Sequence, residues 1–274
     1  MVSQCQFSAM ESIKCHLKSV NVALRRLCTL VYRSIDTAQA YLNEEQVGNA
    51  IRKSNIVRDE IFLTTKVWIS NAGEERTTHS IKESLYKLQT DYVDLLLIHQ
   101  PFGDYYGTWR ALETAYKTGK ARAIGVSNFY PDRFIDLAEH VEIKPMVNQV
   151  ETHVFNQQVK AQKIMEKYGT RIMSWGPFAE GRNNFFANPV LVRIGEKYSK
   201  SSAQVALRYL IQRGVIVIPK SVHIERMRQN MEVFDFILAE DDMSAIAVLD
   251  EGKSLFFSHC DTEFVNFLLS FKAN

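Results

Sequence analysis

Four side chains far apart in the chain could together move a proton: Asp36, Tyr41, Lys66 and His99. A lysine that reaches a tyrosine favours phenolate and lowers the phenol's pKa, and a carboxylate beside that lysine keeps it charged and in place. Tyr41 is therefore a candidate general acid with Lys66 and Asp36 as its tuning pair, and His99 a candidate for orienting a substrate oxygen. Chemistry of this kind needs no metal. Taken singly, each residue is more simply a turn former or the polar start of a loop. Their places in the chain are what join them.

Asp36, Lys66 and His99 each close a short apolar run, and Tyr41 follows in the loop after the first. Strands are expected at 32–36, 61–66, 93–99, 121–127, 145–150, 171–175 and 215–219. Between them lie amphipathic segments of helical length at 45–54, 74–88, 108–118, 131–140, 157–168 and 202–213, with further helices near 224–231 and 239–249. This alternation argues for βα units around a parallel sheet, and the absence of a long linker favours one closed or doubly wound structure over two domains. In a parallel barrel the carboxyl ends of the strands converge on one face, where barrel enzymes place their sites. The other runs end in Ser127 with Asn128, Gln149, Trp175, and Lys220 with Ser221, so these join the candidate constellation. The segment 176–189, rich in Gly and Asn, is expected to be a mobile βα loop over the site, and 256–271 an aromatic tail.

Other chemistries fit less well. No GxSxG, Walker A, HExxH or strand-linked GxGxxG pattern occurs, which speaks against a Rossmann dinucleotide site. Lys220, Ser221 and Arg226, around the last strand and the start of the next helix, offer charge and donors to a phosphate, at the place where barrels often bind one. With 46% hydrophobic and 23% charged residues over 274 positions, the composition is that of a globular protein with a packed core. A net charge of +2, spread along the chain, leaves no footprint for nucleic acid or an anionic membrane. No apolar run is long enough for a membrane helix, so a cytoplasmic location is expected. Cys5, Cys15, Cys28 and Cys260 lack metal-ligand spacing and are expected to be reduced thiols.

These motifs carry a resemblance. Tyr32-Arg-Ser-Ile-Asp-Thr-Ala with Tyr41 and Asn43-Glu44, Thr64-Thr65-Lys66, Asp91-Tyr92-Val93-Asp94-Leu95, Leu97-Ile98-His99-Gln100-Pro101, Ile124-Gly125-Val126-Ser127-Asn128-Phe129, Asn148-Gln149, Ser174-Trp175-Gly176-Pro177 and Ile218-Pro219-Lys220-Ser221 resemble the aldo-keto reductases, most closely their prokaryotic-type, diketogluconate-reductase-like branch. The resemblance implies an α/β fold, a (β/α)8 TIM barrel, that binds NADPH in extended form and reduces aldehydes or ketones to alcohols. It makes Asp36, Tyr41, Lys66 and His99 the catalytic tetrad, with Tyr41 as proton donor. It also implies that Ser127, Asn128 and Gln149 hold the nicotinamide carboxamide, that Trp175 stacks on the ring, that Lys220, Ser221 and Arg226 meet the 2′-phosphate, and that Gln229 and Asn230 meet the adenine. A guanidinium suits a phosphate, so Arg226 favours NADPH over NADH. Trp68, Phe102, Trp109, Phe256 and Phe257 are candidate walls of an apolar substrate pocket, with core packing an equal alternative for each. Gln100 stands where many eukaryotic members have Trp. A small-molecule carbonyl substrate and a monomeric state are expected.

Residues 1–31 depart from the pattern. The segment is basic and Ser-rich, its later part is spaced like an amphipathic helix, and no Gly occurs before Gly48, so the family's first strand and its glycines cannot be located. Either residues 4–10 improvise that strand, or the barrel is open beside Asp36, or this N-terminus is not the ancestral one. A transit peptide is a further, weaker alternative. Residues 32–274 then form the reductase barrel with its C-terminal tail. The alternative function is a catalytically impaired, NADPH-binding barrel that acts as a sensor or a regulatory subunit.

Overall fold

The computed structural model describes residues 32–273. The expectations for residues 1–31, including the first strand and Cys5, Cys15 and Cys28, lie outside the described residues. Two compact units are found, residues 32–147 with 256–273, and residues 148–255.

In the first unit four parallel strands run in the order β1 (Ser34–Asp36), β2 (Phe62–Val67), β3 (Leu95–Ile98) and β4 (Ile124–Ser127). All four residues of β3 and all four of β4 are buried, as parallel strands covered on both faces must be. Helices follow the strands: α1 (Glu44–Lys53), α2 (Glu74–Leu88), α3 (Tyr105–Lys117) and α4 (Pro131–Glu139). In α1, Glu44 and Glu45 occupy the first turn and Arg52 and Lys53 the last, which complements the helix dipole, while Val47, Ala50 and Ile51 are buried at helical spacing. Gly48 belongs to that buried face because a Cβ there would sit 2.6 Å from the backbone of Leu88 at the end of α2. Helix α3 is capped by Asp104, which accepts from the Gly107 N–H at 2.8 Å, and α4 opens on Pro131, whose missing N–H costs nothing at that position.

Register decides what shares a face. Asp36 pairs with Thr64, Lys66 with Leu97, and Leu97 with Gly125. Side chains two apart on a strand point the same way. Thr64 and Lys66, Leu97 and His99, and Gly125 and Ser127 are such steps, so Asp36, Lys66, His99 and Ser127 emerge on one side of the sheet.

The second unit holds β5 (Val147–Glu151) beyond its first residue, α5 (Val159–Glu166), β6 (Arg171–Trp175), α6 (Pro189–Tyr198), α7 (Ser202–Gln212), β7 (Ile216–Val217), α8 (Ile224–Met231) and α9 (Glu240–Ala247). The α7 N-terminus carries a complete capping box between Ser201 and Gln204. Between β6 and α6 the chain makes two single 3-10 turns, at Ala179–Gly181 and Phe185–Ala187. Ala179, Glu180, Gly181, Asn183 and Asn184 there all have φ between 49° and 78°, the left-handed region that Gly and Asn tolerate best. Phe185 is fully buried and packs against Phe155, Phe178 and Phe186. Two helices differ from the expected pattern by being present. Helix α6 follows directly on that loop, with Asn188 capping the N–H groups of Val190 and Leu191. The aromatic tail of the first unit contains α10 (Thr262–Ser270), capped by Asp261. Among the described residues no helix is long and apolar enough to cross a membrane.

Candidate active site

Four candidate residues of the first unit meet. Lys66, the side chain of which has no exposed surface, forms an ion pair and hydrogen bond with Asp36, donates to the Thr37 carbonyl at 3.1 Å and to the Tyr41 hydroxyl at 3.3 Å. Its three N–H donors are therefore used once each. The Tyr41 ring lies edge-on to His99, with centroids 5.6 Å apart. Tyr41 is delivered by a single 3-10 turn, Gln39–Tyr41, closed by Leu42 in the left-handed conformation.

Electrostatics assign protonation states. Burial pushes the Tyr41 phenol up, and the lowering pull of Lys66 does not overcome it. The sequence-based expectation of a lowered phenol pKa is corrected here, because desolvation outweighs the cation, and the tyrosine keeps its proton. For Lys66 burial works downward, but the Asp36 charge and the two side-chain hydrogen bonds more than offset it, so the ammonium is held charged. Burial, helped by the Lys66 charge, drives His99 well below its usual value, so the imidazole is neutral. Its Nδ1 is buried and finds no hydrogen-bond partner among the described residues. The set is thus a protonated phenol backed by an ammonium and its counter-ion, beside a neutral imidazole. Such a group can give a proton to an oxygen that gains negative charge.

A further layer fixes these parts. Gln39 accepts from the Trp68 backbone N–H and from Asn71, both at 2.9 Å, and donates to Ser84 at 3.1 Å. Ser84 donates in turn to Glu44, which also accepts from Thr65 at 2.6 Å. Gln39 shares a turn with Tyr41 and Thr65 precedes Lys66, so this buried network ties the segments that carry the phenol and the ammonium. Burial pushes the Glu44 carboxyl up. Gln39 and Ser84 carry no motif that would single them out, and Thr65 enters only as the neighbour of Lys66.

Of the proposed pocket walls, Trp68 is edge-on to His99 at 5.0 Å and donates its indole N–H to the Phe271 carbonyl at 2.7 Å. Phe102 and Phe257 pack, like Tyr41, on the cluster of Ala40, Trp68, Phe264 and Leu268. Phe256 is buried, 9% exposed. Trp109 is not a wall but core: it is 0% exposed inside α3, and its indole N–H donates to Glu113 and to the Ile143 carbonyl. Helical spacing with buried Leu112 and Ala115 accounts for that position. The tail adds His259, which lies in no motif of the sequence.

The candidate cofactor ligands divide between the units. In the first, Asn128 adopts φ 60° and donates its amide to the His99 carbonyl and to Ser127, both at 3.1 Å. In the second, Gln149 is buried and donates to the Met173 sulfur, and Trp175 ends β6 half-buried. Lys220, Arg226 and Gln229 are exposed around the start of α8, Ser221 accepts from the His223 N–H, and Asn230 is buried. Arg226 makes no ion pair among the described residues, which leaves its guanidinium open to a phosphate. Around the start of α8 the chain thus brings two cations, Lys220 and Arg226, and the Ser221 hydroxyl, a donor set whose chemistry fits a phosphate.

The sequence matches the Aldo/keto reductase family over residues 13–251. It is 47% identical over 223 residues to a glyoxal reductase of Bacillus subtilis, which covers 81% of this chain and 80% of that protein. It is 40% identical over 242 residues to the methylglyoxal reductase DkgA of Yersinia pestis, with 87% of each chain covered. The crystal structure of MGS-M4, an aldo-keto reductase from a deep-sea metagenome library, superposes with a TM-score of 0.86 at 41% identity, over 89% of this chain and 91% of that one. A Bombyx mori aldo-keto reductase in complex with NADP gives 0.85 at 33% identity, over 91% and 88%. The fold class is accordingly that of these enzymes, α/β of the (β/α)8 type.

Proposed function

The chain belongs to the aldo/keto reductase family, and from that premise we propose that it catalyses the NADPH-dependent reduction of small aldehydes and ketones to alcohols, with Tyr41 as the proton donor. Carbonyl reduction is the activity of the named relatives, and short oxoaldehydes such as glyoxal and methylglyoxal are the substrate class that their names suggest. The single observation that carries the reading is the chain Asp36–Lys66–Tyr41 beside neutral His99, all within one compact unit. NADPH, when bound, supplies the hydride. Lys220, Ser221 and Arg226 would hold its 2′-phosphate, Gln229 and Asn230 its adenine, Ser127, Asn128 and Gln149 its carboxamide, and Trp175 its ring.

The protein's own residues then do three things. His99 donates a hydrogen bond from its neutral imidazole to the substrate oxygen and orients it. Tyr41 gives its proton to that oxygen as charge develops there, and the ammonium of Lys66 stabilises the phenolate left behind. Asp36 keeps Lys66 charged throughout. Trp68, Phe102 and Phe257 supply apolar surface that keeps water from the reacting carbonyl. The alternative of an impaired cofactor-binding protein rests on the first barrel strand, which lies outside the described residues, and the reductase relatives do not favour it.

Purified protein incubated with NADPH and methylglyoxal, phenylglyoxal or a nitrobenzaldehyde should consume the nicotinamide absorbance. Folded protein that oxidises no NADPH above the blank would refute the proposal.

A further inference from the structure

His259, in the C-terminal tail, makes a contact that the proton-transfer machinery does not use. Its Nε2 lies 3.1 Å from Oε1 of Gln100, the residue directly after His99. An amide oxygen only accepts, so Nε2 carries the proton and Nδ1 is bare. Aromatic rings hold the imidazole in place: it stacks on Tyr130 at 4.5 Å and on Phe257 at 5.5 Å, and meets Phe102 edge-on at 5.0 Å. Phe102 and Phe257 are the two that also pack on the Tyr41 and Trp68 cluster. The box around His259 is therefore continuous with the wall beside the phenol.

With Oε1 turned to the tail, the other end of the Gln100 amide carries two N–H donors that find no acceptor among the described residues. Gln100 is only 6% exposed, yet its amide nitrogen is not fully buried, so it stays reachable by a ligand. The imidazole adds no charge. Burial pushes it down to about 4, with Asp132 pulling up and Arg133 down. What this wall offers a ligand is an uncharged, oriented donor one residue from His99.

We propose that the His259–Gln100 pair determines substrate specificity: it presents the Gln100 N–H donors to an oxygen on the carbon next to the reacting carbonyl, so that 1,2-dicarbonyls and 2-hydroxycarbonyls are preferred over plain aldehydes of the same length. The inference rests on the carbonyl-reduction reading. A site built around a donor discriminates against an analogue that lacks the matching oxygen, because the donor is then left unpaired.

Methylglyoxal and propanal differ by that one oxygen. Their kcat/KM values with NADPH should be compared for the natural protein, His259→Phe, which keeps the stack and deletes the N–H, Gln100→Leu and the double variant. The difference in intrinsic reactivity cancels in the comparison of ratios. The methylglyoxal-to-propanal ratio should fall roughly three- to ten-fold in each single variant, and the double variant should fall no further than Gln100→Leu alone. An unchanged ratio, a parallel loss with both substrates, or single effects that multiply in the double variant would overturn the proposal. Turnover of neither substrate by the natural protein would overturn carbonyl reduction itself and the role of the pair with it.

Discussion

Replacing Lys66 by Met should separate what the lysine does for catalysis from what it does for folding. The side chain is fully buried, lies 3.3 Å from the Tyr41 hydroxyl and is paired with Asp36. A unit charge at that distance stabilises a full phenolate by about 5 kcal/mol at an effective dielectric constant of about 20. A transition state with about half the charge transferred would then lose about 2.5 kcal/mol, or roughly 70-fold in kcat. The same substitution leaves the Asp36 carboxylate, 15% exposed, without its cation. Breaking a buried pair in this way costs about 3 kcal/mol, which lowers Tm by roughly 6–12 °C for a chain of this size. The double variant Asp36→Asn with Lys66→Met removes the orphaned carboxylate. Its melting temperature should recover most of the loss while kcat stays down. Thermal melts and steady-state reduction of methylglyoxal read both quantities on the same preparations. Recovery of rate together with stability would show that Lys66 acts only through the fold.

Three further outcomes are expected. Because Tyr41 keeps its proton beyond its ordinary value of 10.0 and His99 stays neutral well below 6.5, kcat/KM should be flat through neutrality and fall only as alkali deprotonates Tyr41. A profile measured from about pH 5.5 to about pH 9.5 that shows an acid limb near 6.5 would contradict this assignment. Arg226→Ala should raise the KM for NADPH by about ten-fold or more and leave that for NADH nearly unchanged, as expected for a charge-assisted contact to a phosphate. Asp94, 5% exposed in its side chain, accepts from the Leu63 N–H and pairs with Arg58 and Arg122. Its replacement by Ala should lower Tm by about 10 °C, with activity per folded molecule retained, and a melt within error of the natural protein would count against that estimate.

Much of this was legible because parallel strands buried on both faces read as apolar runs, and their last residues are polar for a reason. The Arg171–Trp175 strand has the expected bounds, while the run 215–219 pairs only over Ile216–Val217. Asp36, Lys66 and His99 could be joined because each closes an apolar run whose carboxyl end faces one side of a parallel barrel, and the register puts them there. Trp109 was open to a better reading: Leu112 and Ala115 follow it at helical spacing, which marks a core face. The Gln39–Ser84–Glu44–Thr65 network and the His259–Gln100 contact were not legible. The latter spans 159 residues, and a hydrogen bond between loop and tail leaves no periodicity in the sequence. Helix α6 was hidden by the Asn- and Gly-rich loop before it, although Asn188-Pro189 is a cap followed by a proline at the first turn. The direction of the Tyr41 shift depends on how much apolar surface surrounds the phenol, which only the packing of Trp68 and the tail settles.

The most direct test of the central claim is a side-by-side measurement of the natural protein and Tyr41→Phe, following NADPH oxidation by methylglyoxal together with NADPH binding by fluorescence quenching. The tetrad reading predicts turnover by the natural protein, a loss of roughly a hundred-fold or more in the variant, and nearly equal affinity for NADPH in both. Near-natural rates in Tyr41→Phe would contradict it.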